Sequence, residues 1–328
     1  MTPWRPLAEK GPLLPPLELQ GRVDWAAWGR AALALEARLP SGPFRDRRIH
    51  HLYVPTLLWL LAETACAAPS TRPRVVGLCA PQGAGKSTLV RELLPLLRDG
   101  GLRVAAVSID DFYLPRDAQV ALAVRHPGNR VLEHRGAPGT HDIALGDSTL
   151  DALRHLGPGA ELRVPAYDKT AHGGRGDRVP PGEWPVVHGP LDLVLVEGWC
   201  LAFRPVDEAS LSDRALLPVN AALADYARWH RHLDALVTWR AFALEQIVDW
   251  RVEAEERSRA AGRPGLDRAA SEDYIRRFLP VYETYAHTAT ASPPPRARQL
   301  EVILDADRLP LTPSPQAPPG ARAPADTP

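Results

Sequence analysis

The chain lacks most of what would mark a membrane, secreted or nucleic-acid-binding protein. Lysine plus arginine balance aspartate plus glutamate at 39 each over 328 residues, so no net field draws in nucleic acid or anionic lipid. There is no basic stripe interleaved with aromatics. Its three cysteines, Cys66, Cys79 and Cys200, are scattered and odd in number. That excludes a disulfide framework and a CxxC metal pair. No His/Cys/Asp grouping has zinc spacing, His172 included. The most apolar stretch, Val54 to Ala68, is interrupted by Glu63 and is too short to span a bilayer. With no continuous apolar segment near the first residue either, a cytoplasmic protein is expected. No internal repeat is seen.

What is present is a core. Hydrophobic residues make up 45% of the chain, enough for one large domain with appendages. Residues 1–72 are expected to form a helical N-terminal extension packed on that domain. In it Trp25, Trp28, Leu33, Leu35 and Leu39 recur at helical spacing before Pro40, and Leu52 to Ala67 gives a second helix. Residues 73–310 read as an α/β domain. Short apolar strands at Arg74–Cys79, Leu102–Ile109, Leu191–Val196 and Val302–Leu304 each end at polar residues. Helical segments separate them, as in a mostly parallel sheet covered by helices. Residues 112–190 are dominated by loop signals. A long helix is expected from Leu233 to Arg259, with Trp239 and Trp250 on one buried face, ended by Gly262, Pro264 and Gly265; a further helix follows from Glu272 to Tyr285. From residue 311 onward there is almost nothing large and apolar, and a disordered tail is expected.

The sequence Ala80-Pro-Gln-Gly83-Ala84-Gly85-Lys86-Ser87-Thr88 follows a strand and opens a helix, the setting of a Walker A phosphate loop. Gly83 and Gly85 let the backbone turn its N–H groups toward phosphate oxygens at a helix N-terminus. Lys86 would reach the β and γ phosphates, and Ser87 would ligand Mg²⁺. Alanine at position 80, where the motif has glycine, requires negative φ there. These residues predict ATP binding and are silent on the reaction.

Two acids follow the second strand, in Ser108-Ile-Asp110-Asp111-Phe-Tyr113. One could take a proton from an acceptor hydroxyl and the other hold a metal-bound water or cap the next segment. Asp110, nearest the strand end, is favoured as base. Leu193-Val-Leu-Val-Glu197 resembles a Walker B strand, with Glu197 at or beside Mg²⁺. In a parallel sheet all these strand ends face one crevice.

At this point the chain resembles the D-glycerate 3-kinase family of plants and cyanobacteria and its fungal relatives, within the phosphoribulokinase, uridine kinase and pantothenate kinase group of P-loop kinases. The segments that carry the resemblance are GLCAPQGAGKST, SIDDFYLPR, HPGNRVLEHRGAPGTHD, VPAYDKTAHGGRGDR, LVLVEGWCLAF, DWRVEAEERSR and FLPVYETY, from about residue 75 to 285. The resemblance implies ATP- and Mg²⁺-dependent phosphorylation of the 3-hydroxyl of D-glycerate, as in photorespiration. It implies a nucleotide at Gly83–Thr88, a base at Asp110, and a lid at the charged helix end that includes Arg257 and Arg259.

A glycerate pocket must hold a carboxylate and two hydroxyls, for which guanidinium forks and dedicated polar partners are suited. The expected acceptor contacts are Asp111, Tyr113, Arg135, His141, Asp142, Tyr167, Lys169, Arg175 and Arg178, with Lys169 and Arg175 also able to neutralise the transferring phosphoryl group. Trp199 and Phe203 could stack on a base or pack in the core. Another small hydroxy acid, a nucleoside or a pantothenate-like alcohol remains an alternative acceptor, and an ATP-binding regulatory protein an alternative function. Neither nucleic acid nor membrane is expected as partner.

Overall fold

The computed structural model describes residues 4–15, 23–65, 72–262, 265–294 and 297–311; Cys66, Pro264 and the tail from residue 312 lie outside the described residues. Nine strands are described: β1 (Arg74–Cys79), β2 (Val104–Ser108), β3 (Glu161–Arg163), β4 (Tyr167–Asp168), β5 (Asp177–Arg178), β6 (Val186–His188), β7 (Leu193–Gly198), β8 (Ala235–Ala241) and β9 (Arg298–Leu304). Five of them make one parallel sheet in the order β2-β7-β1-β8-β9. Its central strand β1 is buried at every position but the first, and β7 at every position. That double-sided burial is why these runs are apolar without alternation. Two small antiparallel pairs, β3 with β6 and β4 with β5, stand apart from the sheet.

Helices cover both faces. On one, the helices Trp25–Arg38 and Val54–Ala65 pack with the helix Lys86–Asp99 against inward residues of β1, β7 and β8, among them Trp28, Leu57, Leu89, Val76, Leu195 and Val237. Asp24 caps the first helix by accepting from the N–H groups of Ala26 and Ala27. Buried Glu63, in the second, pairs with Arg74 at the start of β1 and Arg298 at the start of β9, tying that helix to the sheet. On the other face lie Trp199, Phe203, Trp229, Phe278 and Tyr282.

Three sequence expectations are corrected here. Residues 235–241 are not helix but β8, between β1 and β9 in the sheet; the helix begins only at Glu245 and ends at Ala260. The run Ala235–Trp239 is buried throughout, and a short, mostly apolar run has no periodicity to separate strand from helix. Trp239 and Trp250 are both buried, as expected, but on a strand and a helix respectively. The region 112–190 contains the helices Arg116–Arg125 and Ile143–Arg154, and the segment 272–285 is split between Arg268–Arg276 and Leu279–Tyr285, with Pro280 opening the latter. No helix among the described residues is long and apolar enough to cross a membrane.

Candidate active site

The phosphate loop leaves β1 at Cys79 and enters the helix Lys86–Asp99 through Gly85, at φ +98°. Gly83 has φ +78° and packs so closely on the neighbouring helix that a Cβ there would sit 2.6 Å from the carbonyl carbon of Trp250. At Gly85 a Cβ would meet nothing within 4 Å, so the helix N-terminus opens onto free space. Ala80 is buried and keeps negative φ, since among the described non-glycine residues only His172 and Arg308 have positive φ. Alanine therefore fits the first motif position without strain.

The strand ends converge by register. Glu197 on β7 pairs with Leu78 of β1 and with Ser108 of β2. Its Oε1 accepts a 2.7 Å hydrogen bond from Ser87 Oγ, and its Oε2 lies 3.8 Å from Lys86 Nζ. That Oε2 is buried and accepts no hydrogen bond. A buried carboxylate oxygen without a donor is costly, so this oxygen is suited to a cation or a hydrogen-bond donor.

Ser108 ends β2 and caps the turn Ile109–Phe112 that carries both acids, accepting from the Asp110 N–H at 3.3 Å. Asp110 Oδ2 lies 2.5 Å from Lys169 Nζ, and its Oδ1 accepts from the Tyr113 hydroxyl at 2.9 Å. Burial alone would raise the Asp110 pKa, but Lys169 and Lys86 outweigh it and hold the carboxyl well below the usual range. Lys169 is raised in turn, chiefly by the charge of Asp110. Asp111 goes the other way: burial, and then the charge of Asp110, push its carboxyl up to about 6. The chain has three lysines, and two of them, Lys86 and Lys169, meet at this centre.

The raised Asp111 has a stability consequence. Its folded-state pKa exceeds the ordinary value of 3.8, so the stability it contributes is complete below pH 3.8 and is lost as pH rises through about 6. Asp111→Asn keeps an oxygen for the Tyr167 N–H, which Asp111 Oδ1 accepts at 3.3 Å. The variant is expected to be more stable than wild type by about 1–3 kcal/mol at pH 8, and equal to it at pH 3.5. Urea unfolding at the two pH values measures this; a gap that does not depend on pH would refute it.

The acceptor side is built by side chains that grip backbone. Arg135 donates to the carbonyls of Gly174, Arg175 and Lys169, fixing the β4–β5 hairpin, and lies 5.7 Å from the ring centre of Tyr167. Arg178 donates to the Tyr113 carbonyl at 2.9 Å and to Asp142 Oδ2 at 3.1 Å, while Asp142 also caps the helix Ile143–Arg154 through the Leu145 N–H. These three, expected as acceptor contacts, give the donors and acceptors named here to protein groups and hold the loops together, while Arg178 Nε is buried without a partner.

His141 is buried against Tyr113, ring centres 4.5 Å apart, and its Nδ1 is 2.5 Å from the Tyr226 hydroxyl. Burial holds its imidazole down to about 4 against the pull of Asp110, so it is neutral at physiological pH. Its Nε2 is buried without a partner.

Arg257, expected over the phosphates, is 62% exposed and turned to Glu253 one turn back on its own helix; Arg259 is exposed as well. The same helix instead presents Arg251, 5.1 Å from the Tyr274 ring, with Arg277 at 5.0 Å from that ring. Tyr274 is an electrostatic neighbour of both Lys169 and Tyr113. These three residues went unread in the sequence. Arg251 sits inside the DWRVEAEERSR segment, but nothing local separates it from its arginine neighbours.

Trp199 and Phe203 are core residues, 2% and 3% exposed, and line a mixed cavity of about 240 Å³ with Pro81, Phe242 and Tyr282 and the polar Arg240, Glu283 and His287. That cavity contains none of the acids or lysines above, so it is not where phosphate chemistry occurs. The Tyr282 hydroxyl accepts from the Gln82 N–H of the phosphate loop at 2.9 Å.

No protein-family model matches the chain. It is 37% identical over 277 residues to the chloroplastic D-glycerate 3-kinase of Arabidopsis thaliana, covering 80% of this chain and 61% of that protein. The chain thus spans less than two thirds of the plant relative. It is 34% identical over 255 residues to an uncharacterized kinase of Schizosaccharomyces pombe, covering 74% of this chain and 92% of the relative. Among solved structures it is similar to the D-glycerate 3-kinase of Cryptococcus neoformans, with TM-score 0.69 and 28% identity over 78% of this chain and 94% of that one.

Proposed function

The chain belongs to the D-glycerate 3-kinase family of P-loop kinases, and we propose that it transfers the γ-phosphoryl group of ATP to the 3-hydroxyl of D-glycerate. The observation that carries the reading is the joining of the phosphate loop to a half-buried, ionised acid: Lys86 acts on both Glu197 and Asp110, and Lys169 clamps Asp110 from the acceptor hairpin. A phosphate-binding helix terminus and a proton acceptor thereby share one crevice.

The chain's residues fit Mg²⁺. Among the described residues no cluster of three His, Cys, Asp or Glu could cage a metal, and Mg²⁺ characteristically uses one or two protein groups plus substrate phosphates. Ser87 Oγ and the donor-free Glu197 Oε2 are those groups, with Asp110 beside them. When bound, Mg²⁺ neutralises charge on the β and γ oxygens. Lys86 and the N–H groups of residues 83–88 hold the phosphates. Asp110 orients the acceptor hydroxyl and takes its proton as the new O–P bond forms and the β–γ bridge breaks, releasing ADP. Lys169 keeps Asp110 ionised and aligned. Asp111, Tyr113, Tyr167 and neutral His141 supply the polar lining for the acceptor hydroxyls, Tyr113 through its bond to the base. We place the reaction in the cytoplasm, a setting with which the buried free thiols Cys79 and Cys200 agree.

The test is ADP release by the purified protein with Mg²⁺-ATP, with and without D-glycerate, the product phosphate being located by NMR. Stimulation by D-glycerate and a 3-phospho product are expected. Stimulation by a nucleoside or pantothenate instead would overturn the acceptor, and slow hydrolysis indifferent to every acceptor would overturn the kinase reading.

A further inference from the structure

The cations around the acceptor crevice are mostly committed. Lys86 faces Glu197, Lys169 holds Asp110, Arg178 holds Asp142, Arg130 pairs with Asp273, and Arg135 is spent on carbonyls. Arg116 is held to His172, itself paired with Asp177, and two further arginines pair with no carboxylate among the described residues. Arg277 caps the end of the helix Arg268–Arg276; its Nε is buried with no acceptor, and it pairs with no carboxylate among the described residues. Its one described partner is the Tyr274 ring, 5.0 Å away, and Tyr274 in turn neighbours Lys169 and Tyr113. Arg175 is exposed on the acceptor hairpin beside the Lys169 loop, and the one described partner of its side chain is His134, whose Nδ1 is 3.4 Å from Arg175 Nη1.

His134 links the two. Its other ring nitrogen lies 3.6 Å from Glu133, and both arginines reach it by charge. Burial first, and then Arg175 and Arg277 against the pull of Glu133, hold the imidazole below its ordinary pKa. An imidazole between two guanidinium groups offers them no carboxylate. Two forks without a carboxylate pair among the described residues thus stand near one another: Arg277, half-buried beside Tyr274 with Asp273 near it by charge, and Arg175, exposed on the hairpin whose Lys169 holds Asp110. A partly buried guanidinium without an acceptor is unfavourable, and its planar donor pair matches a carboxylate.

We propose that Arg175 and Arg277 form the subsite for the acceptor's carboxylate, while its hydroxyl lies at Asp110. The inference rests on the D-glycerate reading and gives it a specificity element: a small 2-hydroxy acid bridges the hairpin and the helix pair, and a neutral triol does not. Tyr274 acts as a positioning residue, holding the Arg277 plane from behind.

The experiment is steady-state ADP release by Arg175→Gln, Arg277→Gln and Arg277→Lys, varying D-glycerate at saturating Mg²⁺-ATP and then the reverse. Glycerol, which lacks the carboxylate, is a parallel acceptor. Each Gln variant is expected to raise KM for D-glycerate by about 10- to 100-fold, as befits loss of a charge-assisted pair, while KM for ATP moves less than about threefold. The preference for D-glycerate over glycerol should shrink by the same factor, and Arg277→Lys should recover part of it. An unchanged KM for D-glycerate in the Gln variants would overturn the subsite. So would an equal loss of kcat with both acceptors, which would assign the arginines to the transferring phosphoryl group. If wild type itself ignored D-glycerate, the activity reading would fall and the subsite with it, an outcome distinct from active wild type with indifferent variants.

Discussion

Asp110→Asn is expected to lower kcat by about 10³-fold, within the 10²- to 10⁴-fold span of a lost general base, with KM for ATP little changed. Asparagine keeps the size of the side chain and can still accept from the Tyr113 hydroxyl, which now bonds Oδ1 at 2.9 Å. It can neither take a proton nor hold Lys169 by charge, and Lys169 owes its raised pKa chiefly to Asp110. Two functions are lost at once, base and anchor, so the effect should lie well above that of an ordinary hydrogen bond. Asp111→Asn is the internal comparison. Asp111 is bonded to the Tyr167 N–H rather than to a lysine, and its replacement should cost less than about tenfold in kcat. Single-turnover rates for the two variants decide the matter: an active Asp110→Asn with an inactive Asp111→Asn would move the base to Asp111, whose pKa of about 6 suits a base near neutral pH.

Gly83→Ala should be the most damaging single-methyl change in the phosphate loop. The backbone there has φ +78°, which costs a residue with a Cβ about 1–2 kcal/mol, and the new methyl would meet Trp250 C, Trp250 O and Arg251 N at 2.6–2.8 Å. All three are helix backbone, so no side chain can rotate away. Overpacking of that kind adds about 1–3 kcal/mol, giving a loss of about 2–5 kcal/mol in all. The damage would spread through Arg308, which donates from Nε to the Gly83 carbonyl at 2.9 Å and from Nη2 to the Trp250 carbonyl at 3.3 Å, and pairs with Glu253 at 2.8 Å. That arginine turns the Gly83 carbonyl away from the phosphate side and ties the loop to the helix above it. Urea unfolding and titration with an ATP analogue measure the two consequences. Wild-type stability together with wild-type nucleotide affinity would show that the contact with Trp250 is not a constraint.

The parts of this site that could be read in the sequence are those whose chemistry is local. A phosphate loop is built from backbone N–H groups, and Gly83, Gly85, Lys86 and Ser87 declare it within nine residues. Asp110 and Glu197 were legible because each ends an apolar run, and a parallel sheet puts such ends on one edge. The strand β8 was not, because residues 235–239 are buried without a clear period and residues 235–241 lead within a few residues into a true helix. Arg135 and Arg178 were named for the right region, yet only the folded hairpin shows that carbonyls and Asp142 take their donors.

By itself, then, the sequence determined a nucleotide-binding α/β fold, the order of its main motifs and the acids at its strand ends, since these depend on neighbours in the chain. Only the tertiary structure decided which cations are left free. Lys169 meets Asp110 across 59 positions of sequence, and Arg308 reaches back 225 to Gly83. Whether an arginine is a strut or a ligand depends on what lies opposite it, and only packing brings the opposite side near.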